Sequence, residues 1–443
     1  MARIVPFRGI LYDWEKIHNL RDVVTPPYDV ISAREQQAFY QRHPQNIIRL
    51  ILGKVYPQDT EHNNRYTRAA KFFRGWQEQG ILVRDAVPAF YVTEIDFTED
   101  GTLRTRFGFI ALVGLEDFER GGILPHEKTF SATKADRLRL MEACKANFSP
   151  VFSLFSDPGA EIFGALRTAI KGIEPTFQFE DLKGYRHRLW RVTDPRLHRQ
   201  IAEELAGGAL YIADGHHRYE TALAYRNRVA SKRGGFGGDD PSNFIMMFLS
   251  SLDDSGLTIR PVHRLVCDVP QQAIEGFLDK AQPCFHVERL QSHGLNRTEV
   301  ENAFLSQVRA GAEKGVLGVV FRDHRGPYLL RVKEGIMDQC FGGEIPAPLR
   351  RLDVTMATKL VLEKILGFDD TALDDEERIL YTSRTEKAFE AVDTGKCSLA
   401  LILNATKLSQ IEEVSKAGLT MPRKSSYFYP KVMTGLVINK IGE

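Results

Sequence analysis

Between Ala209 and Arg226 the chain reads as a short apolar strand, a tight polar turn and then an amphipathic helix, and this stretch constrains the fold more than any other. The turn holds Asp214, Gly215, His216, His217 and Arg218 in one unbroken run. Glycine takes backbone angles closed to other residues and lets a ligand approach the main chain. A helix opening there presents unpaired N–H groups and the positive end of its dipole. Two imidazoles and a guanidinium at such a start describe an anion site, phosphate above all. Local structure alone uses some of the same residues. Asp214 is a good N-cap, Gly215 a common turn residue, and Arg218 an ordinary exposed first-turn side chain.

At 443 residues the chain exceeds one simple core. The expected class is mixed α/β (α+β), because strand-like and helix-like stretches alternate irregularly. Three parts are expected: 1–265 as the N-terminal and core domain carrying the turn, 266–348 as an inserted small α/β subdomain, and 349–443 as a C-terminal α/β segment returning to the core. Asn64 to Gln79 reads as a helix with Gly80 at its C-terminal end. Ala89–Phe97 and Arg104–Leu115 read as a hairpin closed by Glu99-Asp100-Gly101. A helix is expected from about Lys134 to Ala146, with Thr133 as N-cap and Asp136 completing a capping box. A strand is expected at Gly435–Ile438.

The net charge of +1 provides no global field to recruit nucleic acid or an anionic membrane, so neither partner is expected and any basic site is local. The five cysteines are scattered without a paired motif, which argues against a disulfide framework or zinc ribbon and fits a reducing, cytoplasmic setting. No apolar run has bilayer-spanning length, and the first residues lack the apolar core of a signal peptide. Nothing in the sequence sets the oligomeric state.

Other polar clusters supply candidate residues. His126-Glu127-Lys128 places imidazole, carboxylate and ammonium side by side, a set suited to a general base with a cationic neighbour, or to a plain solvated loop. Lys424-Ser-Ser-Tyr-Phe-Tyr-Pro-Lys431 interleaves bases and rings, which suits a nucleotide or a loop anchor. Pro26-Pro-Tyr-Asp29 is a stiff turn that would offer Asp29. The common nucleotide and protease signatures are absent.

Several motifs, taken together, resemble a bacterial and archaeal family catalogued as a domain of unknown function, DUF1015. They are Pro6-Phe-Arg-Gly9, Val24–Ile31, His43–Leu50, Leu124–Thr129, Lys134–Arg137, Ala213–Leu223 and Met421–Lys431, in that order. The Asp214-Gly-His-His-Arg218 turn further resembles the phosphate-binding signature of the ParB and sulfiredoxin superfamily, which includes free-serine kinases. That resemblance implies a ParB/sulfiredoxin-like core with additional α/β subdomains. It also implies a nucleotide-dependent small-molecule kinase acting on a hydroxyl metabolite such as free serine, with ATP or ADP and Mg2+ as cofactors. Under this reading Asp214, Gly215, His216, His217, Arg218, Lys128 and Lys424 bind the nucleotide and Asp214 holds the metal. Glu127, His216 and His217 do the chemistry, with Asp29 as a second choice of base. The turn is expected to line the principal pocket, and the 126–128 and 424 loops to join it there. Replacing His217 or Arg218 by Ala is expected to lower turnover far more than stability. Two other readings use the same residues: a metal-dependent phosphoester hydrolase with His126, Asp214, His216 and His217 as ligands, and a non-catalytic nucleotide-binding regulator.

Overall fold

The computed structural model describes residues 3–129, 131–235, 237–291, 294, 296–323 and 326–442, without the side chains of 131 and 132. The fold is mixed α and β. The chain divides into two compact units. The first takes residues up to Pro125, Thr129–Thr258 and everything from Pro430 onward; the second takes His126–Lys128 and Ile259–Tyr429.

The first unit is built on a mixed sheet. Its strands are β1 (Ile4–Val5), β2 (Phe90–Glu99), β3 (Thr102–Gly114), β4 (Ile123–Leu124), β5 (Val151–Phe155), β6 (Phe177–Glu180), β7 (Arg186–Val192), β8 (Leu210–Asp214) and β9 (Phe244–Ser251). Their order is β4-β8-β5-β9-β3-β2-β7-β6, with β1 beside β3. The β2–β3 hairpin turns through Asp100 and Gly101, both at positive φ, which a tight hairpin of this twist requires. Strands β6 and β7 went unseen in the sequence because Arg186-His-Arg-Leu-Trp-Arg-Val192 alternates charge with only three large apolar side chains.

One face of this sheet is apolar. Phe107, Phe109, Ala111 and Val113 of β3 join Val151 and Met247, and helices supply Leu166, Ile201 and Tyr219. The helices of this unit include α1 (Arg65–Glu78), α2 (Ser131–Cys144), α3 (Glu161–Ile170), α4 (Pro195–Ala206) and α5 (His216–Arg233), of which the last three carry Leu166, Ile201 and Tyr219. Helix α1 forms where expected, and Asn64, read as its first residue, caps it by accepting from the Tyr66 and Thr67 amides. The capping box expected at Thr133 is not formed. Helix α2 already starts at Ser131, which puts Thr133 inside it, and Asp136 instead accepts from Tyr66 Oη at 2.6 Å and pairs with Arg65 and Arg137. These partners neutralise a carboxylate on a half-buried surface, a stronger demand than a cap. The tail strand lies at Asn439–Lys440 rather than at 435–438, and pairs with Ala146–Asn147.

The second unit is a sheet with strands β10 (His263–Val266), β11 (Phe285–Arg289), β12 (Val316–Phe321), β13 (Tyr328–Val332), β14 (Ile379–Thr382) and β15 (Leu399–Ile402) in the order β11-β13-β12-β15-β10-β14. Strand β15 lies between β12 and β10, so the stretches 266–348 and 349–443, expected apart, share one sheet, and only the end of the chain returns to the first unit. Cys267 and Cys397 form a disulfide here, against the expectation of none. They flank neighbouring strands whose register pairs Val266 with Leu399, while 130 residues separate them in sequence. Among the described residues no helix is long and apolar enough to cross a membrane.

Burial pushes the Asp353 carboxyl up to about 6, against two hydrogen bonds from Asn404 and the charge of Lys407. An unfolded aspartate titrates near 3.9. Between those values the folded state binds the extra proton, so this group's contribution to stability falls as pH rises from about 4 to 6 and is flat above. Asp353→Asn keeps an acceptor oxygen and cannot ionise. Thermal unfolding should find it about 2–3 kcal/mol more stable than wild type at pH 7.5, with the advantage gone near pH 4. A variant no more stable at pH 7.5 would show that Asp353 carries no such strain.

Candidate functional site

Strand β8 reaches the turn through a β-bulge. Ile212 lies opposite Ser153 and Asp214 opposite Phe152, so Ala213 is the extra residue. Ile212 belongs to the apolar core. Without the bulge Asp214 would follow Ile212 onto that core face, since side chains alternate; the bulge turns it to the opposite face with Phe152. Phe152 in turn lies beside Phe248, on the same face of the sheet as Arg106.

Asp214 is the centre of a charge cluster on that face. Arg218 Nη2 donates to its Oδ2 at 2.5 Å, and Lys431 Nζ donates to its Oδ1. Arg218 also donates to the Pro150 carbonyl. The three side chains expose only 10–13% of their surface. Burial alone would raise the Asp214 carboxyl, but Lys431, Arg218 and His216 hold it well below the usual carboxylate range. Arg106 is 3% exposed, donates to the Pro430 carbonyl and sits 5.1 and 5.2 Å from the Phe152 and Phe248 ring centres. Burial pulls its guanidinium down to about 10, opposed by Asp254 and Asp214, so it stays charged at neutral pH. Tyr28 lies within electrostatic reach of Asp214 and Arg218, with the Arg137 guanidinium 4.0 Å over its ring.

Gly215 sets the geometry of the turn. Its φ is +95°, and a Cβ there would lie 2.8 Å from Arg218 Cζ. Glycine thus serves twice, by adopting the left-handed backbone and by letting Arg218 fold back against the turn to reach Asp214. Gly215→Ala is expected to cost at least about 1–2 kcal/mol for the backbone alone, and more as the guanidinium is displaced. Urea denaturation reads this directly, and an unchanged midpoint would mean that the turn has another way to close.

Helix α5 then runs for 18 residues with no acid in its first turn. His216 is buried and His217 half-buried. One turn further, Glu220 accepts from Thr129 Oγ1 at 2.8 Å and from Lys134 Nζ at 2.6 Å, which places Lys134 as a brace on α5. Arg137 donates to the Ile51 carbonyl at 2.6 Å. Arg218, an exposed first-turn side chain on the purely local reading, is a buried ion-pair partner of Asp214. Nor does the turn wall either of two concavities in this unit. Lys431 alone of the cluster's acid and its two ion-pair partners lines the smaller, of about 20 Å3, together with Arg106 and His187. The larger, of about 360 Å3, is lined by other residues.

The remaining candidates meet in the second unit. Glu127 Oε1 accepts from the Ser425 amide at 2.7 Å, His126 Nε2 bonds Ser426 Oγ at 2.7 Å, and the His126 carbonyl accepts from the Met421 amide. The two loops meet each other across nearly three hundred residues. The expectation was that both would join the turn at one pocket, and neither concavity is lined by residues 126–128, by Lys424 or by the turn. His126 is buried, while Lys128 and Lys424 are exposed. Asp29 is exposed in a 3-10 turn. Lys431, Arg106 and Tyr28 were missed as site residues. Lys431 ends the same base-and-ring stretch that offers Lys424, and nothing in the sequence tells the two apart; Arg106 is one charge in a strand and carries no local signal.

The sheet and the turn define an α/β protein with a glycine-gated, cation-rich helix start. The chain belongs to the family described as a protein of unknown function, DUF1015, whose profile matches residues 4–355. No curated protein matches it. Among solved structures it is similar to a conserved hypothetical protein from Pyrococcus furiosus (14% identity, 70% of this chain and 87% of that one, TM-score 0.33). It is also similar to a free serine kinase in complex with AMP (12% identity, 71% and 89%, TM-score 0.33) and to a variant of that kinase in complex with ADP (12%, 71% and 90%, TM-score 0.34).

Proposed function

We propose that the start of α5 holds phosphates of a nucleotide, ATP or ADP, and that the protein is a nucleotide-dependent phosphotransferase acting on a small hydroxyl-bearing metabolite. The charge balance at this helix start carries the reading. Arg218 and Lys431 both pair with the single carboxylate of Asp214, and Arg106 adds a further buried cation in its field. Cations at the positive end of a helix dipole are unfavourable unless an anion joins them. A phosphate on the first-turn amides supplies that anion. Transfer of a phosphoryl group depends mainly on positioning and on neutralising spread negative charge, which such a site offers. The resemblance of the Asp214–Arg218 turn to that of free-serine kinases makes free serine the first acceptor to try.

In this reading the amides of His216–Arg218 and the His217 side chain hold phosphate, while Asp214 orders Arg218 and Lys431. Asp214 does not suit magnesium, because each of its oxygens is already held by a cation. Glu127 Oε1 accepts from the Ser425 amide, which leaves its other oxygen able to take a proton, so Glu127 stays the first candidate for the base. The hydrolase reading lacks a ligand set: among the described residues no three His, Cys, Asp or Glu side chains group as a metal site needs.

The test is a transfer assay with ATP or ADP and free serine, followed by other hydroxyl metabolites. His217→Ala should lower transfer about 10²-fold, as loss of one transition-state donor does, while changing stability by only about 0.5 kcal/mol. Equal turnover in the variant would remove His217 from the site. Tight nucleotide binding without turnover on any acceptor would favour the regulator.

A further inference from the structure

We infer that the first unit carries a second anion site, separate from the start of α5, built to take a small phosphorylated molecule with an apolar body. The site is the cleft of about 360 Å3, within the range of small-molecule pockets. Arg3, Arg8, Arg84 and Lys440 line it, with Asp239 as its one acid among the described residues. Asp239 is taken by Arg3 at 2.6 Å. Among the described residues Arg8 spends only its Nε, on the Asp85 carbonyl at 2.8 Å. Among the described residues the Arg84 and Lys440 side chains have no acceptor. Three cations therefore face one hollow with no carboxylate between them among the described residues, in a chain whose net charge is only +1.

The floor of the cleft is apolar, formed by Val5, Phe7, Leu112 and Phe244. Arg3 lies 5.2 Å over the Phe244 ring. Like charges gathered over an apolar floor repel one another and strengthen any anion that reaches them. Their positions are fixed by the backbone. Ile10–Tyr12 pairs with Leu82–Arg84, placing Arg84 opposite Ile10, and the Ile10 amide donates to the Ile438 carbonyl two residues before Lys440. The cations thus come from three distant segments held in one rigid frame, which favours a defined small ligand over diffuse attraction. None of the cleft's residues belongs to the Asp214 cluster.

Anilinonaphthalene sulfonate, an anion with an aromatic body, serves as the probe, with pyrophosphate and ADP as competitors. Saturable binding that both competitors displace is expected. The double variant Arg8→Gln, Arg84→Gln should bind the dye about a hundredfold more weakly, about tenfold for each charge-assisted contact removed. Both side chains are exposed, so the melting temperature should stay as in wild type. His217→Ala should bind the dye as wild type does. Dye binding that the double variant retains, that the competitors fail to displace, or that His217→Ala abolishes would overturn the inference. None of these outcomes depends on whether phosphoryl transfer occurs.

Discussion

Asp214→Asn is expected to destabilise the first unit by about 3–5 kcal/mol, the range for removing one partner of a buried charge pair. The substitution leaves Arg218 and Lys431 without their carboxylate and removes one of the two acids that act on Arg106. Sulfate should restore part of the loss, because an anion can occupy the helix start and take over the balancing role. That anion dependence separates a phosphate-ready site from an inert ion pair, which sulfate would not rescue selectively over wild type. Acid unfolding gives a second reading. A carboxyl depressed in the folded state contributes stability that is complete above its unfolded value near 3.9 and is lost as pH falls through the folded value. The variant should therefore lose less stability than wild type as pH falls below about 4.

Arg218→Ala is expected to cost about 3 kcal/mol, at the lower end of the same range because Lys431 still holds Asp214. An exposed first-turn arginine would cost only about 0.5 kcal/mol, which is what the sequence alone suggested. Chemical denaturation distinguishes the two cleanly. A loss below about 1 kcal/mol would mean that the guanidinium does not depend on Asp214 and the Pro150 carbonyl. With so large an expected effect on folding, Arg218→Ala is a poor probe of catalysis, and His217 is the better one.

Much of the local structure was legible because it is encoded locally. The strand, glycine turn and helix at 210–233, the hairpin through Asp100-Gly101 and the helix capped by Asn64 each have their signal within a few residues. Where the signal is a distant partner, it was not. Asp136 looked like a capping acid because Arg65 and Tyr66, some seventy residues earlier, give no hint of approach. The bulge at Ala213 changes which face Asp214 occupies, yet Leu-Tyr-Ile-Ala-Asp reads as an uninterrupted strand. Lys431 reaches Asp214 only because the end of the chain returns to the first unit, and Cys267 meets Cys397 only through strand register. The residues of the turn could be named from sequence. Their charge partners could not.

Amide hydrogen exchange during an ADP titration tests the phosphate site most directly. If the start of α5 holds the nucleotide's phosphates, the amides of His216, His217 and Arg218 gain protection in proportion to occupancy, and His217→Ala weakens that response. Saturable ADP binding that protects other segments and leaves these three amides unchanged would contradict it.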